Sequence, residues 1–358
     1  MSHIAIYVPS LQGGGAERVM VSVANGLASR GHRVDLVLVK AEGPYLSEVS
    51  DRVNVVDLGR GRVIASVWPL ICYMRRERPD ALLSALFHAN FVAIVARLFA
   101  RVRMRLVVSE RNSLASLTGR GSSLILWLMR CLYPRADAIV AVSRGIAEEL
   151  ISELGLAPER VVAIPNPVDV EGIAALAVQR PEHPWLAPDS PPVVVAVGRL
   201  EAQKDYPTLL EAFEKVRKRR DVRLVILGEG AFLPELERRI ADASLSDTVM
   251  LAGFQPNPFG WMAASKAYVL SSVYEGFPNS LIQAMACGVR VVSTNCPTGP
   301  DEILEGGKWG TLVPVGDADA LADAVVDALD RRTWPDPASM LRKFHPDVIM
   351  ADFERILT

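Results

Sequence analysis

Apolar positions along the chain fall into short continuous runs separated by stretches with helical spacing. The runs cover residues 4–8, 34–39, 81–85, 106–109, 138–142 and 161–164 in the first half, and 193–197, 224–227, 249–252, 267–271, 291–293 and 311–313 in the second. Continuous rather than alternating runs mark strands buried on both faces. Between them, residues 17–30, 144–154, 206–218, 232–243 and 318–329 repeat apolar side chains at helical intervals. Strand and helix alternate in this way twice over. The pattern predicts an α/β protein with two Rossmann-like domains, each a parallel sheet covered by helices on both faces. The expected boundaries are 1–170 for the first domain and 193–340 for the second. Residues 171–192, rich in Pro and polar groups, are expected to link them. Residues 341–358 read as a closing amphipathic helix.

Composition narrows the class. The chain has 358 residues and is 50% apolar by composition, enough for two sizeable cores. No run approaches the roughly 18 apolar residues of a membrane span. The nearest, 91–100, is broken by Arg97. The first ten residues read directly as a strand, with no basic leader. Cys72, Cys131, Cys287 and Cys296 are scattered, without metal-like spacing. A cytoplasmic protein with reduced thiols is expected. Charge changes this picture in one respect. Residues 1–170 hold 20 Lys and Arg against 15 Asp and Glu, while the remainder holds 19 against 26. A basic first half suits an anionic partner. Arg97, Arg101, Arg103 and Arg105 form one cluster. Residues 124–129, LILWLM, are flanked by Arg120, Arg130 and Arg135. A peripheral contact with the anionic inner face of the cytoplasmic membrane is therefore expected, with a buried core helix as the alternative. Nucleic acid is not expected as a partner.

Candidate chemistry sits at strand ends. Residues 275–288, EGFPNSLIQAMACG, follow the run 267–271 and open a helix. In a parallel sheet, ligands bind at that end, and helix N-terminal amides suit a phosphate. Gly276 permits close backbone approach, and Glu275 can accept hydroxyl hydrogen bonds. A carboxylate beside a phosphate cradle points to a nucleotide sugar. Residues 198–204, GRLEAQK, follow the run 193–197. There Arg199 can fork onto phosphate oxygens and Lys204 adds a point charge. Fixed cations stabilise a departing diphosphate as its charge grows. Gly198 lies in the same loop. Residues 10–18, SLQGGGAER, follow the first strand, and Gly14 and Gly15 offer a loop whose amides can approach a phosphate or sugar. Gly230 and Phe254 lie in strand-end turns that either meet a base edge or simply close a βα connection. On the first half's strand ends stand His88, Glu110, Arg111 and Asn112. Glu110 can orient an acceptor hydroxyl and Arg111 can hold an anionic acceptor; a structural network is the other reading. Asp317 and Asp319 have DxD spacing, but they open the helix 318–329, so Asp317 is expected to cap it rather than hold a metal. No metal site and no cofactor are expected.

Taken together, GGGAERV, NPVD at 166–169, GRLEAQKDYPTLLEAF, LVILGEG, LAGF and EGFPNSLIQAMACGVRVVSTNCPTGPDEIL resemble glycosyltransferase family 4, over nearly the whole chain and in the expected order. The resemblance implies the GT-B architecture: two Rossmann-like domains facing across a cleft, with a C-terminal helix crossing back to the first. It implies retaining, metal-independent sugar transfer, as in bacterial surface-polysaccharide, lipopolysaccharide or lipid-linked oligosaccharide synthesis. Arg199 and Lys204 match the family's diphosphate-binding pair, and Glu275 the first acid of its E-x7-E motif. The backbone of Phe277, Pro278, Asn279, Ser280 and Leu281 would line phosphates and sugar, with Gly14 and Gly15 opposite. Glu110 stands where many relatives carry a His. At 283 the chain departs from the motif: Gln283 replaces the acid expected to hold the ribose. The implied function is transfer of a hexose or N-acetylhexosamine from a nucleotide sugar, UDP-linked in expectation, to a lipid-linked or polysaccharide acceptor. The rivals are a non-catalytic nucleotide-sugar-binding subunit and a nucleotide-sugar 2-epimerase. A dehydrogenase is disfavoured, because the GxGxxG fingerprint is missing.

Overall fold

A computed structural model describes residues 1–12, 15–117 and 121–358. Gly14 and Arg120 lie outside these residues. The chain divides into two compact units, Met1–Pro167 with Pro346–Thr358, and Val168–His345.

Unit 1 carries β1 (His3–Val8), β2 (Arg33–Leu38), β3 (Val53–Asp57), β4 (Ala81–Ala85), β5 (Arg105–Glu110), β6 (Ala138–Ala141) and β7 (Val161–Ala163). They form one parallel sheet in the order β3-β2-β1-β4-β5-β6-β7. Ile4, Ile6, Leu36, Leu83 and Val107 are fully buried in it, as continuous apolar strands require. β3 escaped the sequence pattern. It reads VNVVD, and only Val53 is buried, because it lies at the sheet edge. The closing helix Pro346–Leu357 belongs to this unit, as the resemblance implies. Ile349, Met350 and Phe353 join the core that holds Leu27 and Val23 of the helix Gly15–Ser29. Arg105 Nε fastens its end by donating to the Ile356 carbonyl at 2.6 Å.

Unit 2 carries β8 (Val193–Val197), β9 (Arg223–Leu227), β10 (Val249–Leu251), β11 (Ala267–Leu270), β12 (Arg290–Thr294) and β13 (Thr311–Val313). Its parallel order is β10-β9-β8-β11-β12-β13. Residues 171–192 are more ordered than the linker expected there. The helix Val170–Ala177 is capped by Asp169, whose carboxylate accepts from Gly172 N at 2.9 Å, and it belongs to unit 2. Asn257 reaches back to the Leu176 carbonyl at 3.0 Å. Its apolar residues Ile173 and Ala177 are buried, which explains why so Pro-rich a neighbourhood still folds.

In both sheets the strand order reverses once, between β1 and β4 and between β8 and β11. Connections then leave the two central strands on opposite faces, and a crevice opens at their C-terminal ends. Among the described residues no helix is long and apolar enough to cross a membrane.

Candidate functional site

In unit 2 the loops after β8 and β11 flank the reversal, and they are tied together. Val273 N donates to the Gln203 carbonyl at 2.9 Å, and Gln203 Nε2 to the Tyr274 carbonyl at 2.9 Å. Ser271 Oγ donates to the Lys204 carbonyl at 2.6 Å. This backbone stitching sets Lys204 Nζ 2.5 Å from Glu275 Oε1, with the two side chains 14% and 8% exposed. Ser272 Oγ donates to the same carboxylate oxygen at 2.6 Å, and Gln203 Nε2 reaches Oε2 at 3.3 Å. Thr298 Oγ1 donates to the Glu275 carbonyl. Glu275 is thus held rigidly as an acceptor, beside a fixed cation.

Gly198 makes room for that cation: a Cβ there would sit 2.8 Å from Lys204 Cε. Arg199, from the same loop, is 72% exposed and pairs with Glu201 at 2.9 Å. Long surface pairs of this kind are weak, so Arg199 can change partner at little cost. Gly276 is buried. Phe277 turns inward, its ring 5.5 Å from that of Phe344. Asn279 opens the helix Asn279–Ala286, and Pro278 at the cap position makes no side-chain hydrogen bond. Ser280 Oγ accepts from Tyr268 at 2.8 Å, and Leu281 is fully buried. Side chains at 277, 280 and 281 therefore serve the fold, leaving the backbone as the surface a ligand would meet. Gln283 lies half-buried one turn into the helix.

Gly230 has a packing explanation, since a Cβ there would lie 2.3 Å from the Leu200 carbonyl oxygen. Phe254 is 68% exposed. Asp317 caps the helix Ala318–Asp330 by accepting from Ala320 N at 2.9 Å. Cys296 is buried close to the pair, and burial pushes its thiol up to about 12, so it stays neutral.

In unit 1, Gly15 opens the helix Gly15–Ser29 at the end of β1. Across the reversal, β4 is followed by Leu86, whose φ of 78° is left-handed for a non-Gly residue. Such strain persists only where surrounding structure imposes it, and it concentrates at functional loops. Leu86 N donates to the Ser109 carbonyl at 3.3 Å, tying this turn to β5. His88 follows in the first turn of the helix Phe87–Ala100; burial lowers its pKa and keeps it neutral. Glu110 ends β5 and is only 4% exposed. Tyr133 donates to its Oε2 at 2.5 Å, and Asn90 Nδ2 donates to the Tyr133 oxygen at 3.1 Å. Burial raises Glu110 to about 7, against the lowering pull of the Tyr133 hydroxyl and nearby Arg111. Burial likewise brings Arg111 down to about 10. Arg111 Nη2 donates to Asn166 Oδ1. Asn112 is exposed.

The sequence named Lys204 and Glu275, and the structure brings them into contact. It also places Glu110 beside Arg111. Gln203, Ser272, Thr298, Tyr133 and Asn90 were missed. The only signal for them was polar residues at the ends of apolar runs, as in the Ser-Ser pair at 271–272.

Two doubly wound parallel units, with chemistry gathered at their strand-order reversals, define the GT-B class. Comparison with known proteins agrees. The model described as Glycosyltransferase Family 4 matches residues 13–171, and that described as Glycosyl transferases group 1 matches residues 191–331. Similar chains include the N-acetylgalactosamine-N,N'-diacetylbacillosaminyl-diphospho-undecaprenol 4-alpha-N-acetylgalactosaminyltransferase of Campylobacter jejuni, 28% identical over 92% of this chain and 91% of that one. The lipopolysaccharide core biosynthesis glycosyltransferase LpsE of Rhizobium meliloti is 28% identical, over 87% and 84% of the two chains. Anabaena Alr3699/HepE in complex with UDP-glucose shares the fold, with a TM-score of 0.80, 21% identity, and coverage of 100% and 99%. The chain matches these two glycosyltransferase models in order along its length. It is a glycosyltransferase with the GT-B fold.

Proposed function

We propose that the protein is a retaining transferase. It moves a hexose or N-acetylhexosamine from a UDP-linked donor to a lipid-linked saccharide. The observation that carries this reading is the buried Lys204–Glu275 pair at the β8/β11 reversal. Lys204, with Arg199 swinging in from the surface, offsets the charge that builds on the departing diphosphate. The backbone of residues 276–281 and the helix N-terminus at Asn279 cradle its phosphates. Glu275 takes hydrogen bonds from the sugar hydroxyls, and Gln283 takes a weaker one from the ribose. Unit 1 supplies the acceptor side, with His88, Glu110, Arg111 and Asn112. The UDP assignment draws support from the Anabaena protein's complex, and the lipid-linked acceptor from the Campylobacter relative's name. Metal-independent transfer is part of this reading, and Asp317's engagement as a helix cap rather than in a metal-holding pair supports it.

The acceptor reading places the protein in the cytoplasm, on the inner face of the membrane. The helix Ser122–Leu132 supports a docking role. Only Met129 is buried in it, while Leu124 and Trp127 are 60% and 57% exposed, against the alternative of a core helix. Arg101, Arg103 and Arg130 are exposed in the same unit. Arg97, Arg105 and Arg130 also serve the fold, through Asp137 and the Ile356 and Glu153 carbonyls.

The test is a panel of labelled nucleotide sugars, with and without a polyprenyl-diphosphate saccharide. Nucleoside diphosphate release that depends on acceptor, with label in the lipid phase, is the expected result. Binding without turnover would favour the non-catalytic subunit. Release without acceptor, with an epimerised sugar, would favour the epimerase.

A further inference from the structure

The buried polar cluster at the end of β5 contains more hydrogen-bonding capacity than the fold uses. Arg111 Nη1, Asn90 Oδ1 and Ser109 Oγ are buried without partners among the described residues. Unmet buried groups each cost stability, and a native fold keeps them for a reason. Glu110 stands at the centre. One of its oxygens, Oε2, is fixed by Tyr133, which is itself oriented by Asn90. The other, Oε1, takes a 3.4 Å contact from Arg111 N, and the backbone N–H of Asn112 also acts on the carboxylate. No ion pair joins Glu110 to Arg111 in the described structure, because the guanidinium turns to Asn166. Among the described residues the carboxylate therefore has one oxygen locked by a side chain and one, Oε1, that only backbone N–H groups meet. Asn112, whose backbone N–H acts on Glu110, is itself exposed.

We propose that Glu110 is an acceptor-binding residue whose Oε1 takes the hydrogen bond of the attacking saccharide hydroxyl, held in place by Tyr133 and Asn90. The assignment rests on the transferase reading above and adds a control to it. Glu110 accepts that bond fully only as a carboxylate, and burial raises its ionisation to about 7. The titratable groups acting on it are Tyr133 and Arg111; Tyr133 is itself pushed up by burial and stays neutral, and Arg111 stays charged. Acceptor binding then strengthens as pH rises through about 7. Stability runs the other way. A carboxyl with a raised folded value favours the protonated fold, so its contribution is whole below the ordinary value of 4.5 and is lost as pH climbs through about 7. The residue thus costs stability in the state that binds the acceptor, which is a mark of function rather than of scaffolding.

Glu110→Gln keeps the shape and removes the charge. Two arms test it on the full-length protein. The first is thermal unfolding of wild type and E110Q between pH 5 and 8.5, without ligand. E110Q is expected to gain on the wild type by a few degrees as pH rises; a variant less stable at every pH would make Glu110 structural and overturn the proposal. The second is steady-state transfer from UDP-N-acetylgalactosamine to a polyprenyl-diphosphate disaccharide. The wild-type acceptor KM is expected to fall as pH rises through about 7. E110Q should lose about 10- to 100-fold in kcat/KM for acceptor, the range for a charge-assisted hydrogen bond, and lose the pH step, with UDP affinity unchanged. The step should survive in His88→Asn, whatever that variant's rate. A wild-type acceptor KM flat across pH, or an E110Q profile like the wild type, would overturn the role of Glu110 while leaving the transferase reading intact. A wild type that neither binds UDP nor turns over any donor would instead sink the transferase reading, and the unfolding arm would still decide whether Glu110 is structural.

Discussion

Arg199 and Lys204 come from one short loop, and their surroundings differ sharply. Lys204 is buried against Glu275, while Arg199 is mostly exposed. Removing Lys204 would strand a buried carboxylate, and breaking a buried pair costs about 3–5 kcal/mol. Lys204→Ala therefore mixes folding with catalysis. Arg199→Ala separates them: kcat/KM should fall about 10- to 100-fold, for one lost charge-assisted bond to phosphate, with an unchanged melting temperature. Normal turnover in that variant would remove Arg199 from the site. At 283 the amide should hold the ribose less well than a carboxylate, so Gln283→Glu should tighten UDP by about five- to tenfold, roughly 1 kcal/mol. Calorimetry on both forms checks this, and weaker binding would mean that repulsion from the diphosphate dominates. The charged members of the site were legible in the sequence because strand-end cations and acids are conspicuous. The neutral residues that fix them were not. Gln203 and Tyr133 act through contacts 71 and 23 residues away in sequence, which no local pattern encodes.

Elements followed the same logic. Strands announce themselves as unbroken apolar runs, and twelve of the thirteen among the described residues were visible that way. β3 was not, because Asn54 interrupts its apolar run and only Val53 is buried. The helix Val170–Ala177 was hidden by the Pro-rich stretch that follows it, although Asp169 and Gly172 carry its cap. The closing helix is secured by apolar contact, and Phe353 at its centre is fully buried. Phe353→Ala should cost about 3–5 kcal/mol, read as a lowered denaturant midpoint. A change below 1 kcal/mol would mean that the helix does not hold unit 1 together. The helix Ser122–Leu132 shows how far periodicity goes: LILWLM reads equally as core or as an interface, and only its exposure separates them.

The whole molecule joins a basic stretch, residues 1–170, to an acidic remainder. That asymmetry and the exposed Leu124 and Trp127 lead to one expectation. The protein should float with anionic liposomes at low salt and be released by salt, since the Debye length shrinks from about 30 Å at 0.01 M to 3 Å at 1 M. Leu124→Ser with Trp127→Ser should weaken what salt leaves behind. No flotation at low salt would count against a membrane face. The central claim is transfer with retention, and its most direct measurement is the product's anomeric configuration. A UDP-α-sugar and a polyprenyl-diphosphate saccharide are incubated with the protein, and the new linkage is assigned by NMR couplings. An α-linked product, formed together with one UDP per sugar transferred, is the predicted result; a β-linked product, or UDP released with no new glycosidic bond, would contradict it.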